Sequence, residues 1–528
     1  MPKLTIDGRA VEVEEGSTIL DAARRLDIDV PTLCYLPGLE PWTSCMVCVV
    51  RLAPSGKLVP SCSTKAVDGM VVECDVEQVR DARRAALELL LSDHLGDCVA
   101  PCQTACPAHM NIPLMLRHIA AGDDASAVRV VRERIPLAAV LGYVCPAPCE
   151  KACRRRAHDG ALAICKLERH AGETALAATD TMRLPAPPAS GQRVAVVGAG
   201  PAGLTAAYYL RADGHDVTVC EREEKPGGAL RSSIDDAVLP RRVLDAEIAV
   251  LLAAGVTFAP RTDIGSAPTL TALRREFDAV AVAAGPLDGD AVTVLGLDAS
   301  RTGIAVDAAT MQTSLGGVFA CGASVKPTKM AVRSVADGRA VAACVSQFLA
   351  GEPVTGVERE WTCRIGKLLD GELASFVALA SDAKRADAAD AGRASLSRDE
   401  ARAEAARCLH CDCRKPDACR LRQHAAAYGA DARRYTSLGS AAEPTRRRFE
   451  QNADHGEIVY ESGKCIDCGI CVRIAEEARE ELGLTFIGRG FDVRVRAPFD
   501  ESLSAALRRV AARCAESCPT GALARKTD

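Results

Sequence analysis

The sequence has few aromatic residues, no excess of one charge and no long apolar run. Aromatic residues make up 3% of the 528 positions, and the formal net charge is −5. Balanced charge gives no reason to expect binding to nucleic acid or to a membrane surface. No apolar run approaches the roughly 18 residues of a membrane-spanning helix, and the opening MPKLTIDGRA has no apolar signal core. We therefore expect a soluble, cytoplasmic protein.

Cysteine, in contrast, is abundant, with 25 residues in the chain. Thiolates are soft ligands that suit zinc or iron–sulfur clusters. A disulfide framework is the alternative, and the lack of a secretory signal argues against it. The length predicts three to five domains. No Ser-His-Asp constellation is visible, so we predict no residues for hydrolytic or covalent catalysis.

Two cysteine triplets lie between His94 and Glu168. They are Cys98, Cys102 and Cys106, and then Cys145, Cys149 and Cys153. Six thiolates are too many for one four-coordinate zinc and two too few for two cubane clusters, so other ligands would complete the sets. Apolar residues at helical spacing predict a helix between the triplets. These residues are Ile112, Met115, Leu116 and Ile119.

The motif APCQTACPAH…VCPAPCEKAC resembles the N-terminal cluster domain of the glutamate synthase small subunit and of dihydropyrimidine dehydrogenase. The resemblance implies a helical domain over 76–185 with two 4Fe–4S clusters. One ligand set would be Cys98, Cys102 and Cys153 with His94, and the other Cys106, Cys145 and Cys149 with Glu168. The segment LLLSDHLGDC resembles the His-Cys cluster site of the large iron–sulfur subunit of complex I and related hydrogenases. A surface histidine at a helix end is the alternative reading of His94.

Residues 1–75 predict a small domain of strands and one helix. Alternating apolar residues around Asp7–Gly8 predict a hairpin, and Ser17 or Thr18 would cap a helix through Leu26. Four cysteines follow, namely Cys34, Cys45, Cys48 and Cys62. They resemble the 2Fe–2S ferredoxin-like (β-grasp) domain that begins the complex I subunit and iron-only hydrogenases, and zinc is the alternative. A linker helix is predicted from Val76 to Asp93.

After a proline-rich linker at 184–191, the region 190–350 opens with RVAVVGAGPAGLTAAYYL. This stretch predicts a buried strand, a glycine turn and a helix whose N-terminus would hold a pyrophosphate. The turn residues are Gly198, Gly200, Pro201, Ala202 and Gly203. The carboxylate of Glu221, at the end of the next strand, would accept hydrogen bonds from an adenosine ribose. A Rossmann-like unit that binds no nucleotide is the alternative.

Three later segments, KPGGALR, FDAVAVAAG and GGVFACGAS, resemble the flavin-binding segments of the glutamate synthase small subunit. The resemblance implies FAD, and it implies contacts from Gly227, Gly228, Arg231, Gly285, Gly322 and Ala323. Ala323 departs from the family, which has an aspartate there that hydrogen-bonds the ribityl–phosphate region. Only about thirty residues separate Gly285 from Gly316, which is too short for a second βαβ unit. The sequence therefore predicts no cradle for a nicotinamide cofactor.

Two more cysteine groups follow. A knuckle in 351–440 fits a 4Fe–4S cluster or a structural zinc, with His410 as a bystander, and it consists of Cys408, Cys411, Cys413 and Cys419. The region 441–528 predicts a ferredoxin-like domain with one 4Fe–4S cluster on Cys465, Cys468 and Cys471, and with Cys518 as the remote fourth ligand or Cys514 as its alternative. The remaining cysteines are expected mostly in the core, and with Cys518 as the ligand they are Cys74, Cys165, Cys220, Cys321, Cys344, Cys363 and Cys514.

Together these patterns predict a multidomain α+β and α/β protein with FAD, one 2Fe–2S cluster and three to four 4Fe–4S clusters. The expected function is electron transfer within a larger oxidoreductase of the formate dehydrogenase, hydrogenase or 2-oxoacid oxidoreductase type. The expected partners are a catalytic subunit and a NAD(P)-binding subunit. The alternatives are a self-standing NAD(P)H:acceptor oxidoreductase and a redox sensor or cluster scaffold without turnover.

Overall fold

The computed structural model describes residues 1–178, 188–265, 269–358, 360–386, 395–435 and 448–526. Half of the predicted linker at 184–191 lies outside the described residues. The chain forms two compact units. Unit 1 contains residues 1–100, 360–379 and 410–528, and unit 2 contains residues 101–359 and 380–409. Each unit is therefore built from separate stretches of the chain.

The N-terminal part of unit 1 is a five-stranded sheet with one helix. Its elements are β1 (Lys3–Ile6), β2 (Arg9–Glu12), α1 (Ile19–Arg25), β3 (Val49–Leu52), β4 (Lys57–Pro60) and β5 (Val71–Glu73). The strand order is β2-β1-β5-β3-β4, with β1 and β5 parallel. The predicted hairpin is confirmed, because β1 and β2 pair antiparallel across Asp7 and Gly8, which both have positive φ. Thr18 caps α1 in a capping box with Asp21.

The predicted linker helix is also confirmed, as α2 (Glu77–Ser92) of unit 1. The first part of unit 2 is helical. Its helices are α3 (Pro101–Ala105), α4 (Ile112–Ala121), α5 (Asp124–Arg132), α6 (Ala138–Val144), α7 (Pro148–Ala152) and α8 (Ile164–Ala177). The four apolar residues that predicted α4 are all buried. Helices α6 and α8 approach closely, since a Cβ on Gly172 would lie 2.4 Å from the backbone nitrogen of Ala139.

The rest of unit 2 is dominated by a parallel sheet covered by helices. Its elements are β6 (Arg193–Val197), α9 (Pro201–Ala212), β7 (Asp216–Cys220), α10 (Ala229–Ser232), α11 (Arg241–Ala253), β8 (Thr257–Ala259), α12 (Leu270–Glu276), β9 (Ala279–Val282), α13 (Gly289–Val294), β10 (Val318–Ala320) and α14 (Ala331–Leu349). The strand order is β10-β9-β6-β7-β8, and all neighbours are parallel. The carboxyl ends of these strands therefore meet at one edge, where α/β sheets bind ligands.

The remaining elements belong mostly to unit 1. They are α15 (Glu372–Val377), α16 (Arg398–Ala405), α17 (Arg420–Ala427), β11 (Gln451–Asn452), β12 (Ile458–Glu461), α18 (Ile470–Glu477), β13 (Thr485–Ile487), β14 (Arg494–Arg496), α19 (Leu503–Ala506), α20 (Ala511–Ser517) and β15 (Leu523–Arg525). Only α16 lies in unit 2. Strands β11, β12 and β15 form one small sheet, and β13 pairs with β14. An apolar core joins this part of unit 1 to α2.

Candidate cofactor sites

Four buried cysteines meet in the N-terminal domain of unit 1. Three of them, Cys34, Cys45 and Cys48, lie between α1 and β3, and Cys62 follows β4. The Sγ atoms of Cys34 and Cys45 are 3.4 Å apart. Two thiolates on one tetrahedral metal with bonds of about 2.3 Å would lie roughly 3.8 Å apart. The thiol of Cys62 hydrogen-bonds with those of Cys34 and Cys48. These residues, the N-terminal cysteine site, therefore fit a small thiolate-bound centre.

Hydrogen bonds distribute the protons of this site unevenly. The hydrogen bond with Cys45 lowers the pKa of Cys34 to about 2, and that with Cys62 lowers the pKa of Cys48 to about 7. The hydrogen bond with Cys34 raises the pKa of Cys45, and hydrogen bonds with Cys34 and then with Cys48 raise the pKa of Cys62. The thiolate is the form that binds a metal, so Cys34 and Cys48 are the thiols of this site that lose their protons most easily for binding.

The loop that carries the first three cysteines is tightly bent. Thr43 and Met46 both have φ near 53°, a left-handed conformation that costs energy in residues other than glycine. The hydroxyl of Ser61 donates to the carbonyl oxygen of Cys48 at 2.8 Å and fixes the two halves of the site together. The Ser61 hydrogen bond thus holds the strained loop against the segment that carries Cys62.

A second group of cysteines lines a small pocket in unit 1. This pocket is lined by the thiols of Cys465, Cys468, Cys471 and Cys518, and we call it the C-terminal cysteine pocket. Gly469 begins α18 with φ of 74°, which turns the chain between two of the ligands. Cys514 is fully buried outside this lining, with its thiol directed at the carbonyl oxygen of Cys471 at 3.8 Å. Four thiols around one open space are what a 4Fe–4S cluster requires.

The two sites share one apolar core of unit 1, which contains Cys34, Cys45 and Cys468. A Cβ on Gly469 would lie 3.0 Å from the ring of Trp42, a residue of the N-terminal domain. The Trp42 ring also packs on Phe486, with centroids 4.9 Å apart. Burial, and then neighbouring thiols that include Cys34, raise the pKa of Cys468. The N-terminal cysteine site and the C-terminal cysteine pocket are therefore neighbours within unit 1.

The structure divides two of the predicted ligand sets between the units. His94 and Cys98 lie in unit 1, whereas Cys102 and Cys153 lie in unit 2. In the predicted knuckle, Cys408 lies in unit 2, and Cys411, Cys413 and Cys419 lie in unit 1. In unit 2, Cys102, Cys153 and Cys408 all adjoin one apolar core.

Within unit 1, Cys98 lies beside Cys363, which the sequence assigned only to the core. Their Sγ atoms are 3.3 Å apart, and the hydrogen bond with Cys363 lowers the pKa of Cys98 to about 7. No sequence motif marks Cys363, because its neighbours in WTCRIG carry no ligand spacing. The Nδ1 atom of His94 is buried and has no hydrogen-bond partner among the described residues. Burial lowers the pKa of His94 to about 4, which keeps the neutral, metal-binding form of the ring.

In unit 2, the thiol of Cys165 hydrogen-bonds with those of Cys145 and Cys149, and these contacts raise its pKa. Glu168 lies three residues later on α8 and is fully buried, with its Oε1 atom unpartnered among the described residues. Burial, and then the charges of Cys145 and Cys149, raise the pKa of Glu168. Cys106 adjoins the same group, since Glu168 and Cys149 contribute to its own raised pKa of about 12, after burial. The sequence missed Cys165, although it shares a helix face with Glu168.

Glu247 joins this helical region to the parallel sheet of unit 2. It lies on α11, and its Oε2 atom accepts the backbone N–H of Val140 in the first turn of α6 at 3.1 Å. Helix α6 ends at Cys145. Burial raises the pKa of Glu247 to about 7. A buried carboxyl group thus anchors the helix that carries one of the predicted ligands.

None of the 25 cysteines forms a disulfide. In the described part of the chain, no group of three or more His, Cys, Asp or Glu side chains is arranged to hold a single metal ion. A polynuclear cluster spreads its ligands over several metal atoms, so its thiolates need not converge on one point.

A glycine cradle lies at the carboxyl edge of the parallel sheet. Gly198 follows β6 with φ of 103°, and a Cβ there would lie 2.4 Å from the carbonyl oxygen of Ala283. A Cβ on Gly203 would lie 1.9 Å from the carbonyl oxygen of Gly198. Gly200, in contrast, has no atom within 4 Å of its Cβ position. The backbone is thus packed on one side and open at the N-terminus of α9, as a pyrophosphate requires.

The other predicted nucleotide residues surround this cradle. Both carboxylate oxygens of Glu221 accept backbone N–H groups, from Ala199 at 2.7 Å and from Glu223 at 3.0 Å, which leaves lone pairs for a ribose. Gly227 donates to the carbonyl oxygen of Ala199 at 2.9 Å, so the KPGG segment crosses the turn.

Pro201 and Ala202 open α9. Arg231 donates to the carbonyl oxygen of Pro226 at 2.7 Å and pairs with Asp245.

The two distant segments reach the same edge. Gly285 follows β9, and Gly322, which follows β10, would place a Cβ 2.8 Å from that of Ala202. Ala323 follows directly in a 3₁₀ turn and supplies no polar side chain. The stretch 286–315, described throughout, contains one six-residue helix, α13, and no strand–glycine loop–helix unit. The described residues of this region thus form one glycine cradle.

Comparison with known families identifies three successive domains. Residues 2–77 match a 2Fe-2S iron-sulfur cluster binding domain. Residues 92–180 match domain II of dihydropyrimidine dehydrogenase, a 4Fe-4S cluster domain. Residues 157–338 match the pyridine nucleotide-disulphide oxidoreductase family. This order confirms the sequence prediction for the first two thirds of the chain at the level of domains.

Curated relatives resemble parts of the chain. The NADP(+)-dependent formate dehydrogenase subunit beta of Moorella thermoacetica is 38% identical over 35% of this chain and 29% of its own length. The NADP-reducing hydrogenase subunit HndD of Solidesulfovibrio fructosivorans is 53% identical over 19% of this chain and 18% of its own. The NAD-dependent dihydropyrimidine dehydrogenase subunit PreT of Escherichia coli is 37% identical over 39% of this chain and 50% of its own. The chain thus spans half or less of these relatives.

A search of the described helices found none with the length and apolar character to cross a membrane.

Proposed function

We propose that this chain is an electron-transfer subunit of a multisubunit oxidoreductase and carries FAD together with 2Fe–2S and 4Fe–4S clusters. The observation that carries the proposal is the shared apolar core of Cys34, Cys45 and Cys468, which makes two thiol-rich sites neighbours inside unit 1. A protein that held clusters only for stability would have no need to bring them together. Neighbouring sites in a water-poor core are what electron transfer requires.

The proposed domains follow the chemistry of their residues. They are a 2Fe–2S domain at 1–75, a two-cluster helical domain at 76–185, an FAD domain at 190–350, a connecting region at 351–440 and a 4Fe–4S domain at 441–528. A bound flavin exchanges electrons in pairs or singly and each cluster exchanges one, so the set would convert two-electron chemistry to single-electron transfer. The chain itself binds the groups, keeps water from them and fixes their order.

The proposed ligands are the residues that the structure brings into groups. The N-terminal cysteine site would hold the 2Fe–2S cluster, and the C-terminal cysteine pocket would hold a 4Fe–4S cluster, with Cys518 rather than Cys514 because only Cys518 lines the pocket. In unit 2, one 4Fe–4S cluster would bind Cys106, Cys145, Cys149 and Cys165, with Glu168 beside it. Cys102, Cys153 and Cys408 would serve another.

The proposed partners follow from what the nucleotide region contains. The single cradle at Gly198–Gly203 is assigned to FAD, and the residues between Gly285 and Gly316 are too few for a second. We therefore expect a nicotinamide cofactor to bind a different subunit. The relatives named as subunits of a formate dehydrogenase and of a hydrogenase support a catalytic partner of that kind.

Anaerobic mixing experiments test the proposal. The purified chain is mixed with NADH, with NADPH or with dithionite, and the flavin absorbance is followed by stopped flow. We expect dithionite to bleach the flavin and both nicotinamides to leave it oxidised on the same timescale. We also expect untagged protein from the native host to be isolated with a large catalytic subunit, and the flavin in that complex to be reduced by the substrate of the complex.

Two outcomes would reject the proposal. Rapid bleaching of the lone chain by NADH or NADPH would indicate a self-standing NAD(P)H:acceptor oxidoreductase. Clusters that are lost during gentle anaerobic purification, together with isolation of the chain alone from its host, would indicate a redox sensor or cluster scaffold.

A further inference from the structure

Cys98 and Cys363 are separated by 265 positions in the sequence, yet their Sγ atoms are 3.3 Å apart. The Cys98 N–H donates to the carbonyl oxygen of Cys363 at 3.2 Å, so the two residues are also joined through the backbone. The Cys363 thiol donates to the carbonyl oxygen of Gly96 at 3.2 Å. Several hydrogen bonds therefore join the stretch around Cys98 to the stretch around Cys363.

Further bonds fix the stretch around Cys363. The N–H of Ile365 donates to Asp97 Oδ1 at 2.9 Å. The indole N–H of Trp361 donates to the carbonyl oxygen of Ala430 at 2.8 Å, and Arg422 donates to the carbonyl oxygen of Trp361 at 3.1 Å. Hydrogen bonds at both ends of residues 361–365 thus fix the backbone that carries the Cys363 thiol.

Two cysteines of the sequence-predicted knuckle adjoin this pair. The N–H of Cys413 donates to the carbonyl oxygen of Cys98 at 3.4 Å. Cys419 is the N-cap of α17. Its thiol lies within electrostatic range of the thiols of Cys413 and Cys98. All four cysteines are buried, and each residue is only 4% to 8% exposed.

A buried cation lies in the same place. Lys464 is 2% exposed and pairs with Glu461 at 2.6 Å. Its side chain fills the space beside Gly96, where a Cβ would lie 2.7 Å from Lys464 Cε. A Cβ on Gly521 would lie 2.4 Å from the Sγ of Cys413 and 3.8 Å from Lys464 Cδ. Gly96 and Gly521 thus leave room for the Lys464 side chain and the Cys413 thiol. The positive charge of Lys464 would stabilise an anionic group bound by thiolates.

We propose that Cys98, Cys363, Cys413 and Cys419 together hold a thiolate-bound metal centre in which Cys98 and Cys363 bind the same metal atom, at a site assembled from three separate stretches of unit 1. We call it the three-stretch site. It replaces the predicted knuckle set with one that lies within a single unit and includes a cysteine without a motif. Four thiolates complete a tetrahedral zinc site or a 2Fe–2S cluster without His94. This assignment concerns metal binding alone and does not depend on the proposed function.

Two alternatives fit the geometry less well. A disulfide would need the sulfur atoms at about 2.05 Å, and both cysteines are free. A 4Fe–4S cluster binds one cysteine at each iron, which would separate the Cys98 and Cys363 thiolates by much more than the 3.3 Å between them.

The test compares the metal content of anaerobically purified variants. Cys363→Ala and Cys413→Ala are compared with Cys74→Ala, a buried cysteine of unit 1 outside every proposed set. Iron, zinc and acid-labile sulfide per chain are measured, together with EPR spectra after dithionite reduction. We expect each of the first two variants to lose the same metal, either about one zinc atom or about two iron atoms with their EPR signal, while Cys74→Ala keeps it.

Flavin content and circular dichroism report whether a variant has folded. Should Cys363→Ala fail to fold, Cys363→Ser provides the second test, because a serine oxygen is a poorer ligand for zinc or iron than a thiolate and would lower the metal content. Unchanged metal content in these variants would overturn the proposal, and loss of about four iron atoms would overturn the assignment of Cys98 and Cys363 to one metal atom. Loss of the metal in Cys411→Ala but not in Cys419→Ala would overturn the ligand set.

Discussion

Unit 1 builds cysteine sites in two different ways. The N-terminal cysteine site comes from one continuous stretch, in which Cys34 and Cys45 are 11 positions apart. The three-stretch site joins residues that are 265 positions apart in the chain. Closing a longer loop costs more chain entropy, so a metal that joins distant stretches stabilises the tertiary structure more than one that joins neighbours. Cysteine ligands can therefore stabilise one local loop, as in the N-terminal cysteine site, or join distant stretches of a unit, as in the three-stretch site.

The largest expected effect separates these two roles. In Cys363→Ala, we expect the amide N–H groups of Cys98 and Ile365 to exchange at least about tenfold faster, which corresponds to about 1.4 kcal/mol of local opening. In Cys62→Ala, we expect faster exchange only between residues 34 and 62. Hydrogen exchange with mass spectrometry measures both. If faster exchange stayed confined to the neighbourhood of the substituted cysteine in both variants, the two sites would not differ in their role in the fold.

A second experiment tests the local character of the N-terminal cysteine site. We expect Cys62→Ser to lose about two iron atoms per chain while the flavin and the other iron stay bound. The control is Cys74→Ser, because Cys74 is buried in the same domain but belongs to no thiol group. Iron analysis and flavin absorbance are the measurements. If Cys62→Ser lost all of the iron, the site would not be local.

A third experiment extends the comparison to unit 2, where α8 offers two ligand types three residues apart. We expect Cys165→Ser to change the EPR spectrum of one 4Fe–4S cluster or to lose about four iron atoms, and Glu168→Gln to keep the iron. The reason is that the Cys165 thiol contacts Cys145 and Cys149 directly. The reverse result would restore the carboxylate ligand that the family resemblance implies.

The smallest expected effect concerns Glu247, which ties distant stretches of unit 2 by a hydrogen bond instead of a metal. Burial raises its pKa to about 7, from an ordinary value of 4.5, so the folded state binds the proton more tightly than the unfolded state. Its ionisation therefore lowers stability as the pH rises from about 4.5 to 7. We expect Glu247→Gln to match the parent at pH 5 and to be roughly 1–3 kcal/mol more stable at pH 8. Denaturant unfolding at both pH values measures this, and a stability gain of equal size at pH 5 would contradict the assignment.

Local features of the fold were predictable because neighbouring residues determine them. The Asp7–Gly8 hairpin, the capped helix α1, helix α2 and the apolar face of α4 all follow from short-range patterns, and the structure contains each of them. The glycine turn after β6 was predictable for the same reason, since its backbone must approach Ala283 more closely than any side chain permits.

The missed residues are those whose partners are distant. Nothing in the spacing around Cys363 indicates Cys98, because the contact depends on where the chain returns to unit 1 after residue 359. Cys165 was missed because it lies in no ligand motif, and the family resemblance implies Glu168, on the same helix face, as the ligand. The predicted knuckle grouped Cys408 with Cys411 by sequence proximity, although the chain passes from one unit to the other between them.

The interleaved course of the chain has a consequence for how the protein is made. Unit 1 begins with residues 1–100 but needs residues 410–528 to be complete, and all of unit 2 is synthesised in between. During translation, the cysteines at 34–62 emerge early and already form a full ligand set. Cys98, in contrast, must wait for more than half of the polypeptide before Cys413 and Cys419 leave the ribosome. Iron delivery to the early site can therefore precede release of the nascent chain, whereas the late site can be filled only once synthesis is nearly finished.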